Sequence, residues 1–299
     1  MVRLKIPATS ANIGPGFDSI GLAVNLYNTV TMEEWDSCVI ESLDGVTVPC
    51  DENNLIYSTA RQLYQLCGVP FRGLKIGQVN HIPFARGLGS SSACVIGGLK
   101  GANTLMGKPV SDNELINLAA SVEGHPDNST PALLGGLVTA VLDQNKVYYV
   151  KQEIKNDLHF VAIIPDFELK TSQARAVLPD SVPRQVGVFN LSRAALMSVS
   201  LYSGNYQNLR IAADDQLHQP YRLKLIPNGQ WVMENCYNLG AYAAFISGAG
   251  STLMAIVDAK RIDFGDCILR RLHEQGLNGW QVRTLSIDNT GTQIEEEQA

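Results

Sequence analysis

Hydrophobic and polar residues alternate from the second residue of the chain onward. Val2, Leu4 and Ile6 are separated by single charged residues, and this period of two is typical of a half-buried β-strand, which Pro7 is expected to end. Runs of β-branched and other apolar residues predict further strands. These runs cover residues 27–40, 73–81, 133–150, 159–165 and 253–257.

Capping residues and helical periodicity predict helices between these strands. Ser111 and Glu114 have the spacing of a capping box, so a helix is expected to begin after Ser111. Asn53 or Asn54 is expected to cap an earlier helix. Further helical segments are predicted over 60–66 and 191–201 and, as the end of a helix, over 242–246. The chain therefore combines helices and strands, and we find no internal repeat.

Length and composition allow two globular domains. The chain has 299 residues, of which 45% are hydrophobic and 17% are charged, and these values support sizeable cores. A polar stretch over 151–157 marks the predicted junction, so we expect one domain over 1–150 and another over 151–299. The acidic segment 291–299 is expected to be disordered.

Charge and cysteine content limit the partners and the compartment. The formal net charge is -6 and no basic run is present, so nucleic-acid binding is not expected. The uncharged stretch 235–257 contains glycines and polar residues, which favour a helix, a turn and a strand over a membrane span. The six cysteines have neither zinc nor disulfide spacing. The amino terminus lacks the apolar core of a signal peptide, so a cytoplasmic location is expected.

A glycine-rich segment followed by serines is the strongest chemical signal. Gly87 and Gly89 permit a tight turn, and Ser90, Ser91 and Ser92 precede an apolar helical run. Amides at the start of a helix form a site for anions such as phosphates. The segment has no lysine at Walker spacing, so the missing positive charge would come from a magnesium ion. The serines could instead simply cap the helix.

Three motifs follow one another along the chain, at residues 7–18, 83–93 and 247–252. They resemble the first, the phosphate-binding and the third motif of the GHMP kinases, in their homoserine-kinase form. The resemblance implies a two-domain α+β fold. The amino-terminal domain would resemble the second domain of ribosomal protein S5, and the carboxyl-terminal domain would be ferredoxin-like. It also implies a homodimer.

The resemblance also assigns roles to individual residues. ATP would be bound by Asn54, Leu55, Pro83, Phe84, Ala85, Arg86, Gly87, Leu88, Gly89, Ser90, Ser91, Ser92 and Ala93. Ser91 and Glu123 would hold the magnesium ion. L-homoserine would be bound by Asn12, Asp18, His125, Asp127, Thr171, Arg175 and Arg222. Asp18 would accept from its ammonium group, and either arginine could meet its carboxylate. Without the resemblance, Asn12 and Asp18 would be ordinary turn residues.

Asn128 stands where some members of the family, such as mevalonate kinase, have a catalytic aspartate. An amide cannot accept the proton, so the resemblance implies phosphoryl transfer driven by alignment and electrostatics, without a strong side-chain base. The sequence departs from the homoserine-kinase pattern at Ser129, Thr130 and Ser251. The alternatives are another small-molecule kinase of the family, such as mevalonate kinase, and a non-catalytic module that binds nucleotide or RNA.

Overall fold

Two β-sheets organise the protein, and the computed structural model describes residues 1–295. The strands are β1 (Val2–Ala11), β2 (Ile20–Glu34), β3 (Val39–Ser42), β4 (Leu74–Asn80), β5 (Leu137–Asp143), β6 (Lys146–Gln152), β7 (Leu158–Ile164), β8 (Ala243–Ile246), β9 (Leu253–Asp258), β10 (Gln281–Leu285) and β11 (Gln293–Glu295). The helices are α1 (Leu55–Leu66), α2 (Ser90–Leu105), α3 (Asp112–Glu123), α4 (Ser129–Leu134), α5 (Thr171–Ala176), α6 (Arg184–Ser203), α7 (Leu209–Ala212), α8 (Gln219–Arg222), α9 (Gly229–Asn238) and α10 (Phe264–Glu274).

The first sheet is built around the long strand β2. Over the described residues it has seven strands in the order β11-β1-β2-β4-β3, with β5 paired to the start of β2 and β6 paired to β5. Leu4 and Ile6 of β1 are fully buried, and α2 packs against this strand. The amide of Thr9 near the end of β1 donates to the carbonyl oxygen of Leu88. The sheet thereby holds the segment that leads into α2.

The second sheet is antiparallel, with the order β10-β7-β9-β8. One of its two central strands, β7, is buried on both faces. Phe160 and Ala162 belong to a core shared with the first sheet, whereas Val161 and Ile163 face a second core beneath α9 and α10. On α10, the buried residues Phe264, Ile268 and Leu272 recur every four positions, which produces the apolar stripe of a surface helix.

Several predicted elements are confirmed. The side-chain oxygen of Asn54 accepts from the first amides of α1, and Ser111 and Glu114 form a complete capping box at α3. The strands predicted over 73–81, 159–165 and 253–257 correspond to β4, β7 and β9. Local capping and alternation are sufficient signals in these places because they depend on neighbouring residues alone.

Two predicted element ends are wrong. Strand β1 continues past Pro7 to Ala11, and its register against β2 shifts between Pro7 and Ala8. Such an irregularity tolerates proline, because the residue has no N–H to contribute to the ladder. The stretch 242–246 does not end a helix: α9 ends at Asn238, and Ala243–Ile246 is the buried strand β8. A short apolar run fits either element, so periodicity alone did not decide between them.

The end of the chain returns to the first sheet. The predicted disorder over 291–299 is wrong for Gln293–Glu295, which pair with β1 as strand β11, and Ile294 packs against the larger core. Residues 296–299 of the predicted tail lie outside the described residues. The predicted domain junction, between residues 150 and 151, lies inside β6, which continues to Gln152. The division of the chain into two domains at this point stays a prediction. Within residues 1–295, none of the helices combines the length and hydropathy needed to cross a bilayer.

Gly98 allows the close contact between α1 and α2. A Cβ atom at this position would lie 2.1 Å from Oγ1 of Thr59 and 2.4 Å from the carbonyl oxygen of Ile56. We therefore expect Gly98→Ala to lower the free energy of unfolding by about 2 kcal/mol, as overpacking does. Gly187 in α6 is the control, because a Cβ there would meet nothing within 4 Å.

Gly187→Ala should raise the free energy of unfolding by about 0.5 to 1 kcal/mol through its better helix propensity. Urea unfolding of both variants measures the two changes. Equal stability of Gly98→Ala and the wild type would contradict the tight helix contact.

Candidate active site

A cleft of about 370 Å³ is lined by the starts or ends of α1, α2 and α3, by the connection between β1 and β2, by α5 and α8, and by the turn that follows β8. It brings together most of the predicted site residues: Asn12, Asp18, Leu55, Ala85, Arg86, Gly87, Gly89, Ser90, Ser91, Ser92, Glu123, His125, Asp127, Asn128, Thr171, Arg175 and Arg222. Residues that are more than 150 positions apart in sequence therefore face the same space. The volume is within the range of small-molecule sites.

Five predicted ATP-binding residues do not line this cleft in the described chain: Asn54, Pro83, Phe84, Leu88 and Ala93. Leu88 and Ala93 are buried in the larger core. The amide of Asn54 is used within the fold, because its oxygen caps α1 and its Nδ2 donates to the carbonyl oxygen of Pro49 at 2.9 Å. The structure therefore confirms the predicted capping role of Asn54, and its ATP-binding role stays a prediction.

The start of α2 presents unpaired amides to the cleft. Gly89 is the N-cap in a left-handed conformation with φ 71°, and within the described residues no side chain caps this end. The amides of Ser90, Ser91 and Ser92 likewise have no partner in that part of the chain. The serines therefore form the first helical turn and do not cap it. Amides at the amino end of a helix of 16 residues, together with its dipole, attract a phosphate group.

The third motif contacts residues 83–89, the phosphate loop, from the other side of the cleft. Ser247 Oγ donates to the carbonyl oxygen of Gly87 at 2.6 Å and lies 2.8 Å from Ser10 Oγ. The amide of Thr252 donates to the carbonyl oxygen of Arg86 at 3.0 Å. One turn thus fixes both the first and the second motif. Ser10 and Ser247 are 237 positions apart, so no local pattern in the sequence marks Ser10.

Arg86 connects the phosphate loop to the second sheet. Its Nε donates to the carbonyl oxygen of Pro165 at 3.1 Å, and its Nη2 donates to that of Asp166 at 3.1 Å. The carboxylate of Glu168 lies 3.7 Å away. These partners use much of the hydrogen-bonding capacity of the guanidinium. Arg86 therefore fixes the conformation of the phosphate loop.

Glu123 is a buried carboxyl group with one free oxygen. Its Oε1 accepts from Ser92 Oγ at 2.5 Å, while its Oε2 has no partner among residues 1–295. Burial raises the pKa of Glu123 to about 7, although the Ser92 hydrogen bond lowers it. A carboxylate oxygen without a partner beside a phosphate site is suited to a hard cation, so the residues fit a magnesium ion. Ser91 is exposed at the same helix end, whereas the contact with Glu123 is made by Ser92.

Asp18 and Arg175 form an ion pair across the cleft. Nη2 and Nη1 of Arg175 lie 2.7 and 3.1 Å from the two oxygens of Asp18, which is a bidentate arrangement. Asp18 has a φ of 54°, and Asn12 has a φ of 68°, conformations that non-glycine residues rarely adopt. Asn12 stabilises this loop: its Oδ1 accepts from the amide of Asp18, and its Nδ2 donates to the carbonyl oxygen of Gly248 at 2.8 Å.

Arg222 is buried, with 2% of its surface exposed, and it still reaches the cleft. Its Nε donates to the carbonyl oxygen of Ala174 at 3.2 Å, and its Nη1 donates to that of Gly248 at 3.0 Å. Nη2 has no hydrogen-bond partner within the described chain. Burial lowers the pKa of Arg222 to about 10, and the charge of Arg175 adds to this effect, yet the group stays protonated at neutral pH. The ring of Phe17 contacts both arginines: its centre lies 5.2 Å from Cζ of Arg222 and 5.4 Å from Cζ of Arg175.

His125 and Asp127 form a second hydrogen-bonded pair beside Asp18. The Nδ1 atom of His125 lies 2.6 Å from Oδ1 of Asp127, which is 1% exposed. Burial lowers the pKa of His125, but the hydrogen bond and the charge of Asp127 raise it, with a net increase above the ordinary value. The pair therefore adds an imidazole and a carboxylate to a pocket that already carries both signs of charge.

Asn128 has a hydrogen-bond partner that the sequence did not reveal. Thr9 Oγ1 donates to Oδ1 of Asn128 at 2.9 Å, and Nδ2 of Asn128 lies 3.4 Å from Oδ1 of Asp127. Thr9 and Asn128 are 119 positions apart, so no local pattern could have paired them. Asn128 is half-buried and lines the cleft.

Comparisons with known proteins show the family to which the chain belongs. The family model described as GHMP kinases N terminal domain matches residues 54–136, and that described as GHMP kinases C terminal matches residues 197–265. A homoserine kinase of Clostridium beijerinckii is 46% identical over 298 residues, covering 99% of each chain. One of Caldicellulosiruptor saccharolyticus is 43% identical over 98% of this chain and 96% of that protein. The crystal structure of a homoserine kinase from Cytophaga hutchinsonii superposes with a TM-score of 0.88 at 25% identity, covering 98% of this chain and 97% of that one.

Proposed function

This chain belongs to the GHMP kinase family and within it to the homoserine kinases, and we propose that its cleft transfers the γ-phosphate of ATP to the side-chain hydroxyl of L-homoserine. The observation that carries this proposal is the meeting of two features in one cleft. Three unpaired amides begin α2, and Asp18, Arg175 and Arg222 lie nearby. The first feature suits a triphosphate, and the second suits a zwitterionic amino acid. The product is an intermediate of threonine biosynthesis.

The phosphate chain of ATP would bind at the start of α2. The amides of Ser90, Ser91 and Ser92 would donate to its oxygens, and Ser247 would keep Gly87 in the conformation that this requires. The left-handed Gly89 lets the backbone approach the phosphates closely. These donors are in place before the substrate arrives, so their orientation costs little during the reaction.

Glu123 and Ser91 are the proposed magnesium ligands. The free Oε2 of Glu123 offers one oxygen, and the exposed hydroxyl of Ser91 offers another at the same helix end. A bound magnesium ion would neutralise charge on the phosphates. The hydrogen bond from Ser92 would keep Glu123 oriented. Few protein ligands suffice because this ion keeps several waters and phosphate oxygens.

L-homoserine would be oriented by the charged groups opposite the phosphates. Asp18 would accept from the ammonium group, while Arg175 and the free Nη2 of Arg222 would donate to the carboxylate. Thr171, at the start of α5, and the pair of His125 and Asp127 complete this side of the cleft. The ion pair of Asp18 and Arg175 would hold both side chains in the cleft before the ammonium group and the carboxylate of the substrate arrive.

The reaction itself needs no strong base. The bond between the γ-phosphorus and the bridging oxygen of ADP breaks as a bond to the homoserine hydroxyl oxygen forms, and the hydroxyl proton leaves with the transferred phosphoryl group. Asn128 cannot accept this proton, but its amide can donate a hydrogen bond near the reacting atoms. A loose transition state depends mainly on alignment and on neutralised charge.

The acceptor is tested by an ADP-release assay with L-homoserine, mevalonate, galactose or no acceptor. We expect homoserine to be the preferred acceptor, because the cleft offers partners for both an ammonium group and a carboxylate. Faster release with mevalonate would favour the alternative kinase activity. Equal release in every tube would leave only ATP hydrolysis, and absence of release would favour a non-catalytic module.

The homodimer and the cytoplasmic location stay predictions.

Arg222→Lys should raise the KM for homoserine about 10-fold or more and change the KM for ATP less than about twofold. Lysine keeps the charge but cannot bond the carbonyl oxygens of Ala174 and Gly248 while also reaching the substrate. Arg193→Lys is the control, because Arg193 stacks on Phe189 in α6 and does not line the cleft in the described chain. An unchanged KM for homoserine in Arg222→Lys would remove Arg222 from substrate binding.

A further inference from the structure

Thr9 occupies the point where strand β1, the phosphate loop and Asn128 meet. Its side chain is fully buried, and its amide donates to the carbonyl oxygen of Leu88 at 3.1 Å. A Cβ atom on Gly89 would lie 1.9 Å from Thr9 Oγ1, so this hydroxyl sits directly against the last residue before α2. The same hydroxyl donates to Oδ1 of Asn128 at 2.9 Å. One side chain therefore contacts the proposed phosphate site and the amide beside it.

The neighbours of Asn128 select one orientation of its amide. The two ends of an amide are nearly equal in size, so only hydrogen bonds distinguish them. In the observed orientation, Oδ1 accepts from Thr9 and Nδ2 lies 3.4 Å from Oδ1 of Asp127. A flipped amide would place its oxygen against this Asp127 oxygen, and two acceptors repel each other. Thr9 would then have to accept from Nδ2 instead of donating.

We propose that Thr9 is a positioning residue for phosphoryl transfer, which holds the Asn128 amide at a fixed distance from the phosphate loop, with the N–H that is not directed at Asp127 available to the cleft. This inference rests on the proposed kinase reaction. In this orientation Oδ1 of Asn128 faces Thr9, and the amide would act on the reacting atoms as a donor through its remaining N–H. A donor suits the negative oxygens of the transferred phosphoryl group. An acceptor at that place would repel them.

The rigidity of the contact is the second part of the inference. Thr9 is held in the sheet by β2, and its amide is bonded to the phosphate loop. Its hydroxyl therefore fixes Asn128 relative to the start of α2 and not merely relative to its own loop. A misplacement of about 1 Å at a reacting centre can cost about 100-fold in rate. Loss of the hydroxyl should consequently affect the chemical step more than substrate binding.

Steady-state kinetics of a double-mutant cycle test this role. The variants are Thr9→Val, which keeps the shape but removes the hydroxyl, Thr9→Ser, which restores it, Asn128→Ala, and the combination of Thr9→Val with Asn128→Ala. We expect Thr9→Val to lower kcat about 10-fold or more and to leave both KM values within about twofold. Thr9→Ser should recover most of that kcat. In the Asn128→Ala background, Thr9→Val should cause no further loss, because its target is absent.

The opposite pattern would overturn the inference. If Thr9→Val mainly raises the KM for ATP, or lowers kcat equally with and without Asn128, then Thr9 only supports the phosphate loop. Thermal unfolding checks each variant, and Thr9→Ala enters the same cycle if the valine variant does not fold. A wild-type protein that does not phosphorylate homoserine would contradict the proposed function itself. An active wild type in which the losses in kcat from Thr9→Val and Asn128→Ala add up would contradict only the role of Thr9.

Discussion

Replacement of Glu123 by Gln is expected to lower kcat about 100-fold or more while the protein still folds. The amide keeps the size of the side chain and can still bond Ser92, but it loses the negative charge that would hold the magnesium ion. Loss of one preorganised electrostatic group in an active site commonly costs about 100- to 1,000-fold in kcat. The measurement is turnover with homoserine as the magnesium concentration is varied.

The same substitution should have the opposite effect on stability. The pKa of Glu123 is raised in the folded state to about 7 from its ordinary value of 4.5, because the carboxyl group is buried. The folded state therefore loses stability as the pH rises between these two values. Glu123→Gln removes this loss, so at pH 8 without magnesium its free energy of unfolding should exceed that of the wild type. A purely structural role for Glu123 predicts a decrease.

Glu41, an exposed carboxylate on β3, gives the matched control. Glu41→Gln should change neither the turnover nor its dependence on magnesium. Wild-type activity and wild-type magnesium dependence in Glu123→Gln would contradict the metal assignment.

Asp18→Asn is expected to raise the KM for homoserine about 100-fold and to leave the KM for ATP nearly unchanged. A hydrogen bond between charged groups contributes about 1.5 to 3 kcal/mol, and the asparagine also leaves Arg175 without its bidentate partner. An isosteric amide keeps the shape of the loop, so the loss reports charge. The KM values from initial rates measure it.

Asp36→Asn is the control for this second variant, because Asp36 pairs with Arg72 at the surface, 3.7 Å apart. It should leave both KM values unchanged. If Asp18→Asn raises the KM for ATP instead, Asp18 belongs to the nucleotide side of the cleft. If neither KM changes, Asp18 does not bind the ammonium group.

Local chemistry made part of this site visible in the sequence. The spacing of Gly87, Gly89 and Ser90 indicates an anion-binding helix start, because the signal depends only on neighbouring residues. The same holds for the capping box at Ser111. The resemblance to the GHMP kinases then added the residues of the substrate side, all seven of which line one cleft.

Contacts between distant segments could not be predicted in this way. Thr9 and Asn128 are 119 positions apart, and Ser247 and Gly87 are 160 positions apart. Their pairing depends on how two sheets pack, which no local pattern encodes.

The most direct test of the account is a crystal structure with a non-hydrolysable ATP analogue, magnesium and L-homoserine. We expect the β- and γ-phosphates within hydrogen-bond distance of the amides of Ser90 to Ser92. The ammonium group of homoserine should lie at Asp18, with its hydroxyl directed at the γ-phosphate. Phosphates bound away from this helix end, or homoserine bound outside the cleft, would contradict the account.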